Sequence, residues 1–386
     1  MIDAAPAVHP GEHVVVSGGG IGGLAAALGL RRAGMTVTVL EQASEFGEVG
    51  AGVQIAPNGT RVLRDWGLLD RAIELGLAPR RIVMRDAIDD RELTSLDLLD
   101  VEHRYGSPYI VVHRTDLHRL LLDACRDAGV DLRTSARVVA YRNERHGALV
   151  ELADNRMFGG AAVIAADGLH SVARASLVDD RLVSSGYVAY RGTAPADTVE
   201  DSASATQRPD EVTVHIGPRC HFVHYGLRGG ALLNHVAVFK TPSARDGGGA
   251  WGGPDELEQA FASTCAAVRN RLPLLGRDRW WPMSDRDPVD QWVHGRIALL
   301  GDAAHPPLQY LAQGAIMAIQ DGRALEQHVR AAHGPDGVDW PAALAAYETE
   351  RVPHCGRVVH TARSWGALWH LDGPDRDRRN VMLSAR

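Results

Sequence analysis

The sequence predicts an α/β fold: a Rossmann-like dinucleotide-binding domain, a second domain built on a mixed sheet, and helices at the C-terminal end. Three observations predict it. Val14-Val15-Val16 is an apolar run that passes at once into Ser17-Gly18-Gly19-Gly20-Ile21-Gly22-Gly23. Two further apolar runs, Ala161 to Ala166 and Ile297 to Leu300, stop in the same manner at Asp167-Gly168 and Gly301-Asp302. Between them, from Tyr187 to Lys240, the pattern changes to period-two alternation, which marks strands rather than helices.

The first apolar run reads as a buried parallel strand. Gly18, Gly20 and Gly23 fit G-x-G-x-x-G, and Leu24, Ala27, Leu28 and Arg31 continue as a helix that ends at Gly34. Thr36 to Leu40 form the next strand, and Glu41 closes it 18 residues after Gly23. Strand, glycines, helix, strand and acid fall in the order that a dinucleotide requires. Gly18 makes the turn, Gly20 admits the pyrophosphate, Gly23 lets the helix pack, and Glu41 accepts from a ribose hydroxyl. With no Arg nearby, Glu41 favours FAD or NAD over NADP.

Gly50 to Asn58 is a glycine-rich bend before a short helix, Arg61 to Leu68. Tyr109 to His113 form a strand that leads to Arg114, and a helix starts at Asp116 with Leu117, Leu120, Leu121, Ala124 and Cys125 on one face. Arg114 is either a surface cation or a phosphate partner; beside a dinucleotide site the second reading is preferred. Val130 to Leu152 reads as three short strands. Within the alternating region, Cys220-His-Phe-Val-His-Tyr-Gly-Leu227 puts His221, Val223 and Tyr225 on one face. Taken alone, that strand is half-buried and carries one satisfied core histidine. Leu257 to Val268 is amphipathic, Trp280-Trp281-Pro282-Met283 returns the chain to the Gly301-Asp302 stretch, and Trp340 to Trp369 is helical. After Ile297 to Leu300, Pro306-Pro307 delay the next helix to about Gln313, where Ala315, Ile316, Ala318 and Ile319 become its packing residues.

Composition narrows the function. The chain has 386 residues with 45% hydrophobic and 23% charged side chains, enough for two domains with a shared interface. A net charge of -7 argues against nucleic acid as a partner. Cys125, Cys220, Cys265 and Cys355 are scattered without CxxC, which suits a reducing, cytoplasmic setting and no structural metal. Met1 to Pro10 shows no signal peptide, and no apolar window is long enough to span a membrane. The Gly247 to Gly253 cluster reads as a mobile loop.

Together the three motifs, Gly18-x-Gly20-x-x-Gly23, Ala166-Asp-Gly-Leu-His-Ser-Val-Ala-Arg174 and Gly301-Asp-Ala-Ala-His-Pro306, resemble those of the class A flavoprotein aromatic hydroxylases, the para-hydroxybenzoate hydroxylase-like family. The likeness runs from about residue 12 to 370. It implies an FAD-binding domain over 1–80, 108–180 and 291–340, a substrate-binding β-sheet domain over 81–107 and 181–290, and a C-terminal helical segment over 341–386. It implies FAD held by Gly18, Gly20, Gly23, Glu41, Gln42, Val53, Arg114, Asp167, Asp302, Gly314 and Ala315. NADH or NADPH would be the reductant, and O2 the oxidant by way of a flavin hydroperoxide. The stretches 186–192, 220–225 and 305–315 further imply a small aromatic acid as substrate, a monohydroxybenzoate hydroxylated para to its hydroxyl. His221, Tyr225 and Gln309 would surround it, with His221 as the base. Salicylate or a hydroxypyridine carboxylate is the alternative substrate, and a flavin-binding regulator without turnover the alternative of another class. A homodimer is possible, although the chain stops at Arg386 with little beyond its last helix.

Overall fold

A computed structural model describes residues 13–47, 50–198, 210–242 and 251–385. Met1 to Pro10 and most of the Gly247 to Gly253 cluster lie outside the described residues. The strand His13–Ser17 is central to a six-stranded sheet in the order 293–294, 297–299, 162–165, 13–17, 36–40, 131–133. All neighbours run parallel except the outermost pair, 293–294 with 297–299. Val14, Val15 and Val16 are fully buried, as uninterrupted apolar strands in a two-sided parallel sheet should be. The helix Ile21–Arg32 covers one face and packs on the helix Gly314–Ala331. Glycine makes that approach possible. A Cβ on Gly29 would stand 2.2 Å from the Gly322 carbonyl oxygen, and one on Gly322 would stand 2.4 Å from that of Ala25.

A seven-stranded mixed sheet forms the other half, in the order 281–285, 183–195, 232–240, 220–227, 211–217, 81–86, 92–97. Among the described residues its only parallel pair is 81–86 with 211–217. One face packs Tyr190, Phe222 and Phe239 against Leu257, Phe261 and Val268. The other packs Val214, Val223, Tyr225 and Val238 against Leu308, Tyr310, Ala362 and Trp369. The strand Cys220–Leu227 is therefore buried along its whole length, not half-buried. The antiparallel pair 52–55 and 110–113, distant in sequence, reaches the large sheet where the Gly52 N–H donates to Asn234 Oδ1 at 2.7 Å.

Several expected boundaries move for local reasons. The helix expected over 61–68 starts earlier, as Pro57–Asp65, because Pro57 suits the first helical turn, and it stops at Gly67, which takes φ +76° before a second helix, Leu69–Leu75. The helix expected from Asp116 begins at Arg114, where the His113 ring accepts from the Thr115 N–H. The amphipathic stretch 257–268 breaks into Pro254–Phe261 and Ala266–Arg269, because Cys265 is extended. Trp281–Asp285 adds an edge strand to the large sheet. Trp340–Trp369 is one helix, and a further helix, Gly373–Ser384, follows it.

Candidate active site

Four neighbouring parallel strands present their carboxyl ends together, the place where open α/β sheets bind ligands. Strand 13–17 ends in Gly18 and strand 36–40 in Glu41; strands 162–165 and 297–299 lead into Asp167 and Asp302. Gly18 takes φ +108°, and a Cβ there would lie 2.2 Å from the Ala166 carbonyl oxygen. A Cβ on Gly23 would lie 1.8 Å from that of Gly18. Both positions therefore exclude any other residue. Gly20 caps the helix 21–32 and Gln313 the helix 314–331, neither with a side-chain hydrogen bond and neither with an acid in the first turn. Bare N–H groups at two helix starts attract an anion.

The predicted cofactor residues lie around this edge. Glu41 Oε2 accepts from the Gly19 N–H at 2.8 Å, so the acid already touches the glycine turn. Gln42 is exposed beside it, while Val53, Arg114 and Ala315 are partly buried. Arg114 packs its side chain toward Gly50. Asp167 Oδ2 accepts from the Val172 and Ala173 N–H groups and lies 3.0 Å from the Tyr141 hydroxyl, but its Oδ1 is buried with no partner. Asp302 is exposed in the turn 301–303. Gly314 needs no special backbone angle, and the nearest atom to a Cβ there is Pro307 Cγ at 3.7 Å. The strained residue of this loop is instead Ala312, at φ +52°.

Long-range contacts hold the edge in place. His118 Nε2 lies 2.8 Å from the Gly19 carbonyl oxygen. Arg174 is buried and donates to the carbonyls of Ala303 and Ala304 at 3.1 and 2.6 Å, tying the second motif to the third. Asp321 accepts from the Gly301 N–H at 3.1 Å and from Arg351 Nε at 2.7 Å, and meets His305 Nε2 at 2.6 Å. Burial opposes charge on Asp321, but His305 and Arg351 outweigh it and lower its pKa to about 2. Burial likewise opposes charge on His305, and Asp321 outweighs it, raising His305 well above its ordinary value. His305, Asp321 and Cys355 have the spacing of a metal-ligand set, but the Arg351 guanidinium already supplies the cation there.

On the seven-stranded sheet, His221 and Tyr225 share the face that meets Leu308 and Tyr310. Tyr225 is 2% exposed, and its hydroxyl would lie 2.6 Å from a Cβ on Gly52, so glycine there leaves it room. Gln54 sits beside it and accepts from the Tyr109 hydroxyl at 2.6 Å. Gln309 Oε1 accepts from Arg191 Nη2 at 3.3 Å. His221 is 1% exposed, its Nδ1 2.8 Å from His370 Nε2, with Trp369 and Tyr310 packed around the ring. Burial first, and then His370, hold His221 well below the ordinary histidine pKa. His370 itself is pushed down to about 3 by burial, Arg379 and Lys240.

Comparison with known proteins decides the family. The FAD binding domain family matches residues 12–362. The chain is 36% identical over 375 residues to 3-hydroxybenzoate 6-hydroxylase of Polaromonas naphthalenivorans, covering 97% of this chain and 92% of that one. The chain belongs to the FAD-binding flavoprotein hydroxylases. Another member, 3-amino-4-hydroxybenzoate 2-monooxygenase of Streptomyces cremeus, is 37% identical, with 95% and 91% covered. Among solved structures, Klebsiella pneumoniae HpxO complexed with FAD and uric acid matches with a TM-score of 0.85 and 26% identity, covering 97% and 93%. A salicylate hydroxylase substrate complex, at 24% identity and TM-score 0.80, shares the fold.

This hydroxylase is a flavin monooxygenase, and its own residues fit FAD. The glycine turn that no Cβ could enter, the uncapped helix starts and the unpartnered Asp167 Oδ1 each leave room or polarity for the cofactor. No covalent attachment is needed to explain retention. Denaturing the fresh yellow protein should release all its flavin to the supernatant; flavin left on the chain would contradict this. Asp302→Ala should weaken FAD binding about tenfold, since a hydrogen bond to a charged acceptor contributes about 1.5 kcal/mol or more. Equal FAD affinity in a titration of apoprotein would remove Asp302 from the site.

Two kinds of site residue escape sequence reasoning. Arg174 lay inside a recognised motif, and only its carbonyl contacts reveal what it holds. Arg191 likewise lay inside the recognised stretch 186–192, and only its contact with Gln309 singles it out, whereas His370 and Asp321 have no local pattern pointing to them. Among the described residues no helix is long and apolar enough to cross a membrane.

Proposed function

We propose that this hydroxylase converts 3-hydroxybenzoate to 2,5-dihydroxybenzoate (gentisate), consuming one O2 and one NADH or NADPH and releasing water. The observation that carries the reading is the meeting of His221, Tyr225 and the Gln309 loop over one face of the seven-stranded sheet. The named relative in Polaromonas, at 36% identity over nearly the full length, supports the same substrate. The six-stranded sheet would carry the cofactor and the seven-stranded sheet the substrate.

FAD, when bound, supplies reduction by the nicotinamide and the activation of oxygen. The chain's part is to make the ring nucleophilic. A phenol attacks an electrophilic oxygen weakly, and its phenolate far more strongly. Neutral His221 is positioned to take the hydroxyl proton. The tautomer that donates its Nδ1 proton to His370 leaves the Nε2 lone pair free to accept the phenolic proton. Tyr225 and Gln309 orient the ring. Leu308 and Tyr310, both buried, exclude water, which otherwise diverts the activated oxygen to H2O2. The use of NADH or NADPH, a cytoplasmic location and homodimeric assembly are part of the same proposal.

The test is NADH oxidation with each of the three monohydroxybenzoates, salicylate being the 2-isomer, followed by product identification. Gentisate from the 3-isomer supports the proposal. Stimulation by salicylate alone would favour the alternative substrate.

A further inference from the structure

Resting on the hydroxybenzoate reading above, we propose that Arg191 binds the substrate carboxylate. The sheet register places it. Arg191 pairs with Val236, Val236 with Val223, Val223 with Val214, and Val214 with Met84. Paired residues share a face. Arg191 therefore emerges on the side that carries His221 and Tyr225, which flank Val223 by two residues each. It stands two strands from that pair, about 10 Å across the sheet. A benzoate ring laid over Val236 and Val223 would put its carboxylate toward Arg191 and its hydroxyl toward His221.

Among the described residues no carboxylate pairs with Arg191. The buried Arg174, Arg351 and Arg379 lie 2.8, 2.7 and 3.6 Å from Asp180, Asp321 and Asp86, whereas Arg191 is partly buried. For Arg191 the partners among the described residues are neutral. They are Gln309 Oε1 at 3.3 Å and the Trp281 ring, whose centre is 5.7 Å from the guanidinium carbon. Its Nε is buried with no hydrogen-bond partner. Burial lowers its pKa, and the like charge of Arg114 lowers it further. A desolvated cation beside a second cation is costly until an anion arrives. A benzoic acid is ionised at neutral pH, as carboxylic acids with pKa near about 4 are, and its two oxygens match the guanidinium fork. Gln309 then holds Arg191 from the loop side and couples carboxylate binding to loop position.

The test compares an anionic with a neutral ligand on the holoenzyme. Wild type, Arg191→Ala and Arg191→Lys are titrated with 3-hydroxybenzoate and with 3-hydroxybenzamide, reading the flavin spectrum, the KM for stimulated NADH oxidation and FAD per chain. Arg191→Ala should weaken 3-hydroxybenzoate by about 10- to 100-fold, the amide by less than about threefold, with FAD content unchanged. Arg191→Lys should fall between, since it keeps charge but loses the fork. Equal weakening of acid and amide, no weakening of either, or loss of FAD would overturn the assignment. Wild type that ignores hydroxybenzoates but takes another aromatic acid in an Arg191-dependent way would overturn the substrate reading while supporting Arg191 as the carboxylate partner.

Discussion

His221→Ala should lower hydroxylation by about 10²–10⁴-fold, the usual contribution of a positioned general base, while FAD stays bound and NADH is still oxidised. The diverted oxygen should appear as H2O2. The replacement removes the one imidazole on the site's face of the strand 220–227; His224 points to the opposite face, near Phe222 and His235. Raising the pH toward a phenol's pKa of about 10 should partly restore coupling, because the substrate then arrives ionised. The wild-type profile carries a second signature. Burial keeps His221 neutral, with a pKa well below the ordinary value. Its ability to accept a proton should therefore persist as pH falls past about 6.5, where an unperturbed histidine would become charged. An acid limb of hydroxylation centred there, and absent in His221→Ala, would contradict that environment. Tyr225→Phe should do less, since a buried phenol whose pKa is raised is no base at neutral pH.

Asp321→Asn should cost about 3–5 kcal/mol of stability, the range for removing one member of a buried ion pair. It leaves the Arg351 guanidinium without its counter-charge and weakens the acceptor for the Gly301 N–H. Unfolding and flavin loss should then coincide, because Gly301 begins the turn that carries Asp302. The pH dependence has a defined sign. Asp321, with its pKa lowered to about 2, stabilises the fold above its unfolded value of about 3.9, and that contribution fades as pH falls through 2. His305, with its pKa raised, stabilises it fully below its unfolded value of about 6.5, and that contribution fades as pH rises through the folded value. The gap in thermal midpoint between wild type and Asp321→Asn should be widest from about pH 4 to 6.5. An equally stable variant with full FAD would contradict the role given to this network.

The cofactor edge was legible because its information is local. A strand, its turn and the following helix are contiguous at 13–32, 162–177 and 297–331, so glycine and acid positions follow from spacing alone. The substrate face was legible only in part. Period two put His221 and Tyr225 together, but the burial of both faces depends on the helices 254–261 and 266–269 and on the end of the helix 340–369. The helix Gly373–Ser384 lies within the segment 341–386 expected to be helical, but no apolar stripe marks it, because its inward face is largely polar. Arg376 donates to both Asp86 oxygens at 3.0 and 2.7 Å, and Asn380 Nδ2 to Oδ2 at 2.6 Å, so a run of Arg and Asp that reads as solvated packs through ion pairs. Asp86 is fully buried, and nothing in its own strand predicts a partner 290 residues away.

The most direct test of the account is gentisate formed per NADH consumed by the FAD-loaded wild-type protein with 3-hydroxybenzoate. The account predicts a ratio near one at neutral pH, with no other monohydroxybenzoate giving a coupled product. NADH oxidation that yields only H2O2, or a hydroxylated product other than gentisate, would contradict it.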